Sequence, residues 1–247
     1  MLQVFAYGER YQSDSQRLVF FDQAVERLRA LPGVSSVGLV SAMPFAEANI
    51  GIRTPLHLEG RAEQRHTAAT AFVTVATGDY FRAMSIPLLH GRGFDEADRD
   101  GAAPVALVNE VVAARYWASR DPTGERITIN WRGRPWTAEI VGVVGSLRHE
   151  GLDRDPRPEV FLPFAQRPFG SMTFVVRSQA EPAAQLPALK AQIWTIDPTL
   201  PFYSTATLEG LVSRSLSPRT FLMAVLTAFS LLALVSRSEG STRSSAS

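Results

Sequence analysis

A continuous apolar segment near the C-terminus, Pro218–Val235, constrains this chain more than any other feature. From Phe221 onward it carries no charge, and only Thr227 and Ser230 interrupt its apolar side chains. As a helix, about 15 residues would extend roughly 22 Å, which is shorter than the ~30 Å hydrocarbon core of a bilayer. The serine-rich residues 236–247 predict a disordered tail. Because nothing after the segment would cover its apolar faces, we expect a partial transmembrane helix whose remainder is missing.

The composition is that of a globular protein with a balanced charge. The chain has 247 residues, enough for one large domain or two small ones. Its 25 basic and 24 acidic residues are mixed along the sequence, whereas a nucleic-acid-binding surface needs a basic stripe. The absence of cysteine excludes disulfides, thiol catalysis and thiolate metal sites. We expect no nucleic-acid partner. Since no signal peptide is visible, the chain is either cytosolic or has an export signal upstream.

A helix, a proline-bearing turn and a strand occur in this order near both ends of the sequence. The first unit has a helix capped by Ser13 or Asp14, a stop at Pro32-Gly33 and a strand at Val34–Met43. The second unit, preceded by a strand at Met172–Arg177, has a helix from Pro182, a stop at Asp197-Pro198 and a strand at Pro201–Thr205. This weak repeat predicts that the two ends pair into one α/β layer.

The middle of the sequence, roughly Ile50 to Phe169, is richer in strands and turns. Strands are predicted at Ile52–Leu58, Ala71–Ala76 and Val105–Val108, with a short helix or turn at Gly78–Phe81. Asn109 is placed to cap a helix at Glu110–Ser119. Alternating apolar residues predict a hairpin of Arg126–Trp131 and Trp136–Val144. The middle is therefore expected to be inserted between the two paired ends.

One acidic cluster is a candidate for calcium binding: Asp95, Glu96, Asp98 and Asp100, followed by Gly101. With Glu96 as the first position of an EF-hand loop, the twelfth position is Leu107, where a bidentate glutamate is required. A pair of flanking amphipathic helices is also missing from the sequence. We therefore favour a solvated turn.

The remaining chemical groups give no recognisable catalytic pattern. The four histidines, His57, His66, His90 and His149, lack metal-ligand spacing, and Asp153 stands where a zinc protease would place its second histidine after His149. No phosphate-loop, dinucleotide-binding or nucleophile-elbow motif is present. We assign no catalytic, cofactor-binding or metal-binding residue, and we expect a protein that is not an enzyme.

Two further groups were weighed as candidate sites. The carboxylates Asp153, Asp155 and Glu159 alternate with Arg154 and Arg157, which favours a salt-bridged surface turn over an acid/base pair. Six aromatic residues could form a binding face, but core packing is the more ordinary role: Trp117, Trp131, Trp136, Trp194, Tyr80 and Tyr116.

An ordered set of short motifs resembles a known family. The motifs are Val73–Phe81 (VTVATGDYF), Ile86–Phe94 (IPLLHGRGF), Val105–Glu110 (VALVNE), Asp121–Arg126 (DPTGER), Ile140–Ser146 (IVGVVGS) and Val160–Pro163 (VFLP). Leu31–Val34 (LPGV) also matches, as does Arg219 with the Phe- and Leu-rich span after it. Together they resemble the MacB-like periplasmic core domain of FtsX-type ABC transporter permeases, in the branch called acidobacterial duplicated orphan permeases.

The resemblance implies an α+β fold with two lobes outside the cytoplasm. The implied parts are a Porter-like α/β lobe split between residues 1–49 and 170–217, an inserted Sabre-like lobe at 50–169, a partial transmembrane helix at 218–235 and a disordered tail at 236–247. Members of this family have one transmembrane helix before the domain and three after it. This sequence lacks the first helix and has only half of the second, which indicates a truncated or fragmentary sequence.

The resemblance also implies a function without catalysis. Such domains relay ATP-driven motion of membrane helices, powered by a separate ATP-binding subunit, to an exported substrate or partner protein. It places the chain in the inner membrane with its folded domain on the periplasmic side, as one half of a homodimer or of a duplicated permease. The alternative is a free-standing soluble module that binds a ligand or protein, with the C-terminal apolar segment as a core helix. A hydrolase using the acidic residues is a third, weaker hypothesis, because no nucleophile accompanies them.

Overall fold

The structure, a computed structural model, describes residues 1–45, 51–60, 69–118, 120–149, 151 and 154–214. The chain divides into two compact units, Met1–Thr207 and Leu208–Ser247. In the second unit, residues 208–214 are helical. The predicted membrane segment at 218–235 and the predicted tail lie outside the described residues. Within the described part, no helix has both the length and the apolar character needed to cross a bilayer.

The first unit mixes helices and strands along the chain. Its helices are α1 (Asp14–Arg29), α2 (Gly78–Ala83), α3 (Glu110–Trp117) and α4 (Pro182–Trp194), with a 3₁₀ turn at Glu9–Tyr11. Its strands are β1 (Leu2–Phe5), β2 (Val34–Val40), β3 (Ile52–Leu58), β4 (Thr70–Ala76), β5 (Leu88–Gly91), β6 (Val105–Asn109), β7 (Arg126–Trp131), β8 (Arg134–Val144), β9 (Glu159–Pro163), β10 (Ser171–Ser178) and β11 (Phe202–Thr205).

Strands from both ends of the unit form one antiparallel region, which we call the split sheet. Its order is β11, β1, β10 and β2, so strands from the start of the chain alternate with strands from residues 171–205. Helix α1 packs on β2 and on α4, and Phe21 of α1 lies 5.6 Å from Phe174 of β10 between ring centroids. Ser13 caps α1 through a capping box with Gln16. The burial of aromatic and branched side chains holds this layer together.

The strands between Ile52 and Pro163 form a closed ring. Strands β4, β3, β7, β8, β6 and β9 pair in that order, and β9 pairs in parallel with β4, which closes the circle. Strand β5 pairs with β8 outside this path. Side chains alternate between the two faces of each strand, and the inward set is apolar, as with Leu56, Ile127 and Ile129. We call these six strands the ring.

Helix α2 packs directly on the split sheet at a glycine. A Cβ atom added to Gly38 of β2 would lie 2.3 Å from the Cα of Tyr80, so only glycine leaves room for the helix backbone. Tyr80 itself is fully buried at 1% exposure. A helix from the ring segment is therefore fixed against a strand of the split sheet.

Most of the elements predicted from local patterns are present, with shifts at their ends. The caps of α1 and α3 form as predicted, at Ser13 and Asn109. Strand β5, which the sequence analysis does not predict, begins at Leu88, after Pro87, which has no N–H to donate. The sequence analysis assigns no strand to β1 or β9. The predicted lobe boundaries at 49/50, 169/170 and 217/218 stay predictions.

We predict that Gly38→Ala destabilises the fold by about 3 kcal/mol, because the new methyl group must displace the backbone of α2. Urea denaturation followed by tryptophan fluorescence measures this change. Gly93→Ala is the matched control, since a Cβ at Gly93 meets no atom within 4 Å and its φ is not positive. Equal midpoints for the two variants would show that α2 does not pack as described.

Candidate functional site at the junction of the split sheet and the ring

The split sheet and the ring meet along a very short ladder. Strands β2 and β4 share one register pair, Val40 with Ala76, whereas β2 and β10 pair over six positions. Ser41 extends the contact by one residue: its N–H donates to Val75 O at 2.8 Å, and its Oγ accepts from Val75 N at 2.9 Å. A short ladder resists bending less than a long one, so the β2–β4 pairing alone would hold the two regions together only weakly.

Helix α2 reinforces the junction through polar contacts with the split sheet. Thr77, at its N-terminus, exchanges two hydrogen bonds with Leu39 of β2, at 2.9 and 3.0 Å. Arg177 of β10 donates from Nε to Ala83 O at 2.9 Å and from Nη2 to Ser85 Oγ at 2.5 Å. Asp79 of α2 pairs with a side chain of α1. The α2 segment is therefore bonded both to strands β2 and β10 of the split sheet and to helix α1.

Below this helix, the carboxylate of Glu159 is buried among polar groups. His149 Nε2 donates to its Oε2 at 2.8 Å, and Thr74 Oγ1 donates to its Oε1. Arg157 Nη2 lies 3.7 Å from the same Oε1. The side chains of His149, Glu159 and Arg157 are exposed by only 6%, 2% and 8%. These four side chains form what we call the junction network.

The backbone around the junction network is fixed by Asn109. Its Oδ1 accepts both from Val112 N, which caps α3, and from Glu159 N at 3.1 Å. Its Nδ2 donates to Arg157 O at 2.7 Å. Phe45 N donates to His149 O at 3.0 Å, which links the network to the loop after β2. One network thus joins β4, β6, β9 and the segment that follows β2.

The charges of the junction network act on each other because water is excluded. Desolvation opposes ionisation of Glu159, but the His149 and Arg157 charges and the hydrogen bonds from His149 and Thr74 outweigh it and lower its pKa. Tyr80 lies close enough to Glu159 for its charge to act on the phenol. Burial raises the pKa of Tyr80, and the charge of Glu159 raises it further. The guanidinium of Arg157 also packs on the Phe72 ring, 4.0 Å from its centroid. Glu159 therefore stays ionised inside the protein.

The junction network has the chemistry of a structural connection. Its members supply hydrogen bonds and opposite charges to one another, and their low exposure leaves little room for a substrate. Across the residues that the structure describes, no group of three or more histidine or acidic side chains is placed to hold a metal ion.

The acidic cluster considered for calcium is held by an arginine. Arg92 contacts both oxygens of Asp98, at 2.7 and 2.9 Å, and Asp95 Oδ2 at 3.3 Å. Asp98 is only 3% exposed, so the expectation of a solvated turn is wrong at this residue. The expected calcium ligand position, Leu107, lies buried in β6. The guanidinium of Arg92 therefore occupies the position beside Asp98 that a calcium ion would need.

The second acidic group does not come together as a surface turn. Glu159 is buried in β9, whereas Asp155 and Arg154 are exposed, and Asp153 lies outside the described residues. Glu159 and Arg157 instead meet His149, which the sequence analysis treats as an isolated histidine. The single available signal was the apolar run after Glu159 (VFLP), which is typical of a buried strand. His57 and His90 are exposed, and His66 lies outside the described residues.

Comparison with known families gives a consistent match. The model of the MacB-like periplasmic core domain matches residues 1–196. A relative in Aeromonas hydrophila subsp. hydrophila, macrolide export ATP-binding/permease protein MacB 2, is 25% identical over 149 residues. That stretch covers 57% of this chain and 22% of the relative, so this chain spans only a small part of that protein.

Solved structures show a similar fold. The periplasmic region of MacB from Actinobacillus actinomycetemcomitans has a TM-score of 0.50 and 15% identity, covering 78% of this chain and 82% of that chain. A domain of a putative permease protein from Porphyromonas gingivalis has a TM-score of 0.48 and 17% identity, covering 86% of this chain and 90% of that chain. The first likeness shows that the mixed α/β fold is that of the periplasmic region of MacB.

We predict that Glu159→Gln destabilises the protein by about 3 kcal/mol at neutral pH, because it removes the negative charge that balances Arg157 inside the protein. The lowered pKa of Glu159 gives a second expectation. The contribution of ionised Glu159 to folding stability is fully present above its unfolded-state pKa. It is lost as the pH falls through the lowered pKa of the folded state. Urea denaturation from neutral to acidic pH should therefore show a smaller loss of stability for Glu159→Gln than for the wild type.

Glu125→Gln is the control for this experiment. Glu125 is an exposed residue in the turn before β7, and its side chain forms no hydrogen bond or ion pair with the residues that the structure describes. Its removal should leave both the stability and the pH dependence unchanged. Wild-type stability in Glu159→Gln, or an unaltered acid dependence, would contradict the role assigned to the junction network.

Proposed function

The chain belongs to the MacB-like periplasmic core domain family, and from this membership we propose that it is the extracytoplasmic domain of an ABC transporter permease. The domain relays ATP-driven motion of membrane helices to an exported substrate or partner protein and catalyses no reaction itself. We infer that the energy comes from a separate ATP-binding subunit. The acidobacterial branch remains part of this proposal.

One contact carries the proposal of a mechanical relay. Met1 and Ala206 exchange two backbone hydrogen bonds, from Met1 N to Ala206 O at 2.8 Å and from Ala206 N to Met1 O at 3.3 Å, and β1 pairs directly with β11. The two ends of the first unit are therefore neighbours. Membrane helices attached before Met1 and after Thr207 would act on the same edge of the split sheet. Their relative motion would enter through strands that are hydrogen-bonded to each other.

The motion would then pass to the ring through the junction. The strands of the split sheet pair over several positions, and α1 and α4 cover the sheet, so it moves as a rigid layer. It contacts the ring through the short β2–β4 ladder, through α2 and through the junction network. We infer that the ring, as the inserted lobe at 50–169, turns on this junction relative to the lobe of 1–49 and 170–217.

The membrane attachment completes the proposal. The segment at 218–235 serves as a partial transmembrane helix, residues 236–247 as a disordered tail, and the folded domain lies on the periplasmic side of the inner membrane. A homodimer or a duplicated permease half would supply the second copy of the domain. The family match favours this function over the free-standing binding module.

We predict that a disulfide across the junction stops the relay. The chain has no cysteine, so Val40→Cys with Ala76→Cys introduces a single cross-strand pair at Cα separations that disulfides accept. In membranes that hold the full permease with its ATP-binding subunit, oxidation should lower the ATP turnover of the assembly severalfold, and reduction should restore it.

Val37→Cys with Val176→Cys is the matched control. This pair is also directly opposed, but it links β2 to β10 within the split sheet. Its oxidation should leave ATP turnover unchanged. If both disulfides have the same effect, or neither has any, the junction does not transmit motion.

We predict that deleting residues 221–235 releases a folded domain from the membrane. The deletion removes the membrane attachment and leaves the first unit intact, so the protein should move to the soluble fraction and keep its unfolding midpoint. The free-standing module predicts the opposite, because burying each large apolar side chain contributes about 1.5–3 kcal/mol. Membrane fractionation and urea denaturation distinguish the two outcomes.

A further inference from the structure

One end of the ring carries aromatic and basic side chains, and we call it the mouth. The hairpin of β7 and β8 turns there at Arg132 and Gly133, both with positive φ. Trp131 and Arg134 are direct cross-strand partners, and Trp136 lies two positions further along β8, so the three side chains share the inward face. The segment after β9 crosses this end, anchored where Gln166 bonds to Val105 N and Ala103 O.

The crossing segment adds one arginine and one phenylalanine to the mouth. The guanidinium of Arg167 lies over the Trp136 ring, 5.0 Å from its centroid. The guanidinium of Arg132 lies 5.7 Å from the centroid of Phe169, which itself lies 6.0 Å from Trp131 between centroids. Arginine and aromatic side chains therefore alternate across the mouth, and the two segments hold each other in place.

The positive charge of the mouth is not balanced. Seven other arginines of the described chain lie within ion-pair distance of a carboxylate: Arg10, Arg17, Arg29, Arg82, Arg92, Arg126 and Arg157. Among the residues that the structure describes, no carboxylate lies at that distance from Arg132, Arg134 or Arg167. The acidic side chains of Glu96 and Asp100, in the loop before β6, line a hollow together with Arg99.

Two buried donors at the mouth have no acceptor among the described residues. Trp136 is only 7% exposed, and its Nε1 is buried without a hydrogen-bond partner. The Nε of Arg167, which packs on the same indole, is also buried without a partner. Buried N–H groups are nearly always paired in folded proteins, so two neighbouring unpaired donors point to an acceptor that binds from outside the chain.

We propose that the mouth binds a phosphate group. The guanidiniums of Arg132, Arg134 and Arg167 supply positive charge and forked N–H donors that match the geometry of phosphate oxygens. The indole N–H of Trp136 supplies a further donor once Arg167 turns toward the ligand. A phosphate carries more negative charge than a carboxylate and accepts from several donors at once. The faces of Trp131 and Phe169 offer an apolar surface to whatever the phosphate is attached to.

Two sources share this chemistry: free inorganic phosphate and the headgroup phosphate of a lipid. Isothermal titration of the full chain in detergent with inorganic phosphate tests the first source, and titration with dioctanoyl phosphatidic acid tests the second. Binding of either probe supports the proposal, and the tighter probe identifies the source. No heat with either probe at millimolar concentration would overturn it.

The double variant Arg132→Gln with Arg134→Gln tests the site itself. Both side chains are exposed, so the fold should hold, and a thermal melt checks this. We expect binding about tenfold weaker or worse, because two charge-assisted donors are lost. Arg126→Gln on the same hairpin is the control, since Arg126 is exposed and pairs with Glu59 at 3.0 Å. Binding that survives the double variant, or falls equally in the control, would overturn the site. Membrane attachment does not enter this test, so the result is independent of the proposed relay.

Discussion

The ionised carboxylate of Glu159 is the interaction on which the arrangement of this domain depends. Burying a charge is unfavourable unless opposite charges and hydrogen bonds compensate it, and His149, Arg157 and Thr74 do so here. These partners come from β4, from β9 and its approach, and from the segment that bonds to Phe45 after β2. If one of these segments shifts, a buried charge is left without its partner. The network therefore fixes how the ring meets the split sheet more strictly than apolar packing alone would, since apolar side chains can slide past one another.

Closure of the ring explains why the two ends of the unit are neighbours. Because β9 returns to pair with β4, the inserted strands end close to where they began. The chain can then re-enter the split sheet as β10 beside β2, and β11 lies beside β1. Met1 and Ala206 meet for this reason. An inserted closed ring therefore keeps the two ends of the unit adjacent without a long connection.

The sequence predicts what is local and misses what depends on distant pairing. The caps at Ser13 and Asn109 follow from one side chain and the backbone a few residues later, and both form. The hairpin of β7 and β8 follows from alternation around a turn. Strands β1 and β9 have 4 and 5 residues, and each lies beside partners far along the chain. The burial of Glu159 is indicated locally only by the apolar run after it, because its charged neighbours Arg154, Asp155 and Arg157 predict a salt-bridged surface turn. In the mouth, Trp131 and Trp136 were candidates for a binding face, but Arg167 and Phe169 join them only through the fold.

The junction network and the mouth both hold an arginine packed on an aromatic ring, but they differ in charge balance. In the network, each charge faces an opposite charge, and Asn109 satisfies the adjoining backbone groups. At the mouth, the guanidiniums of Arg132 and Arg167 lie over aromatic rings, and two buried donors lack acceptors among the described residues. A protein that balances Glu159 so completely has the means to balance Arg134 as well, since one carboxylate in the crossing segment would suffice. The imbalance therefore fits a surface whose opposite charge arrives with a ligand.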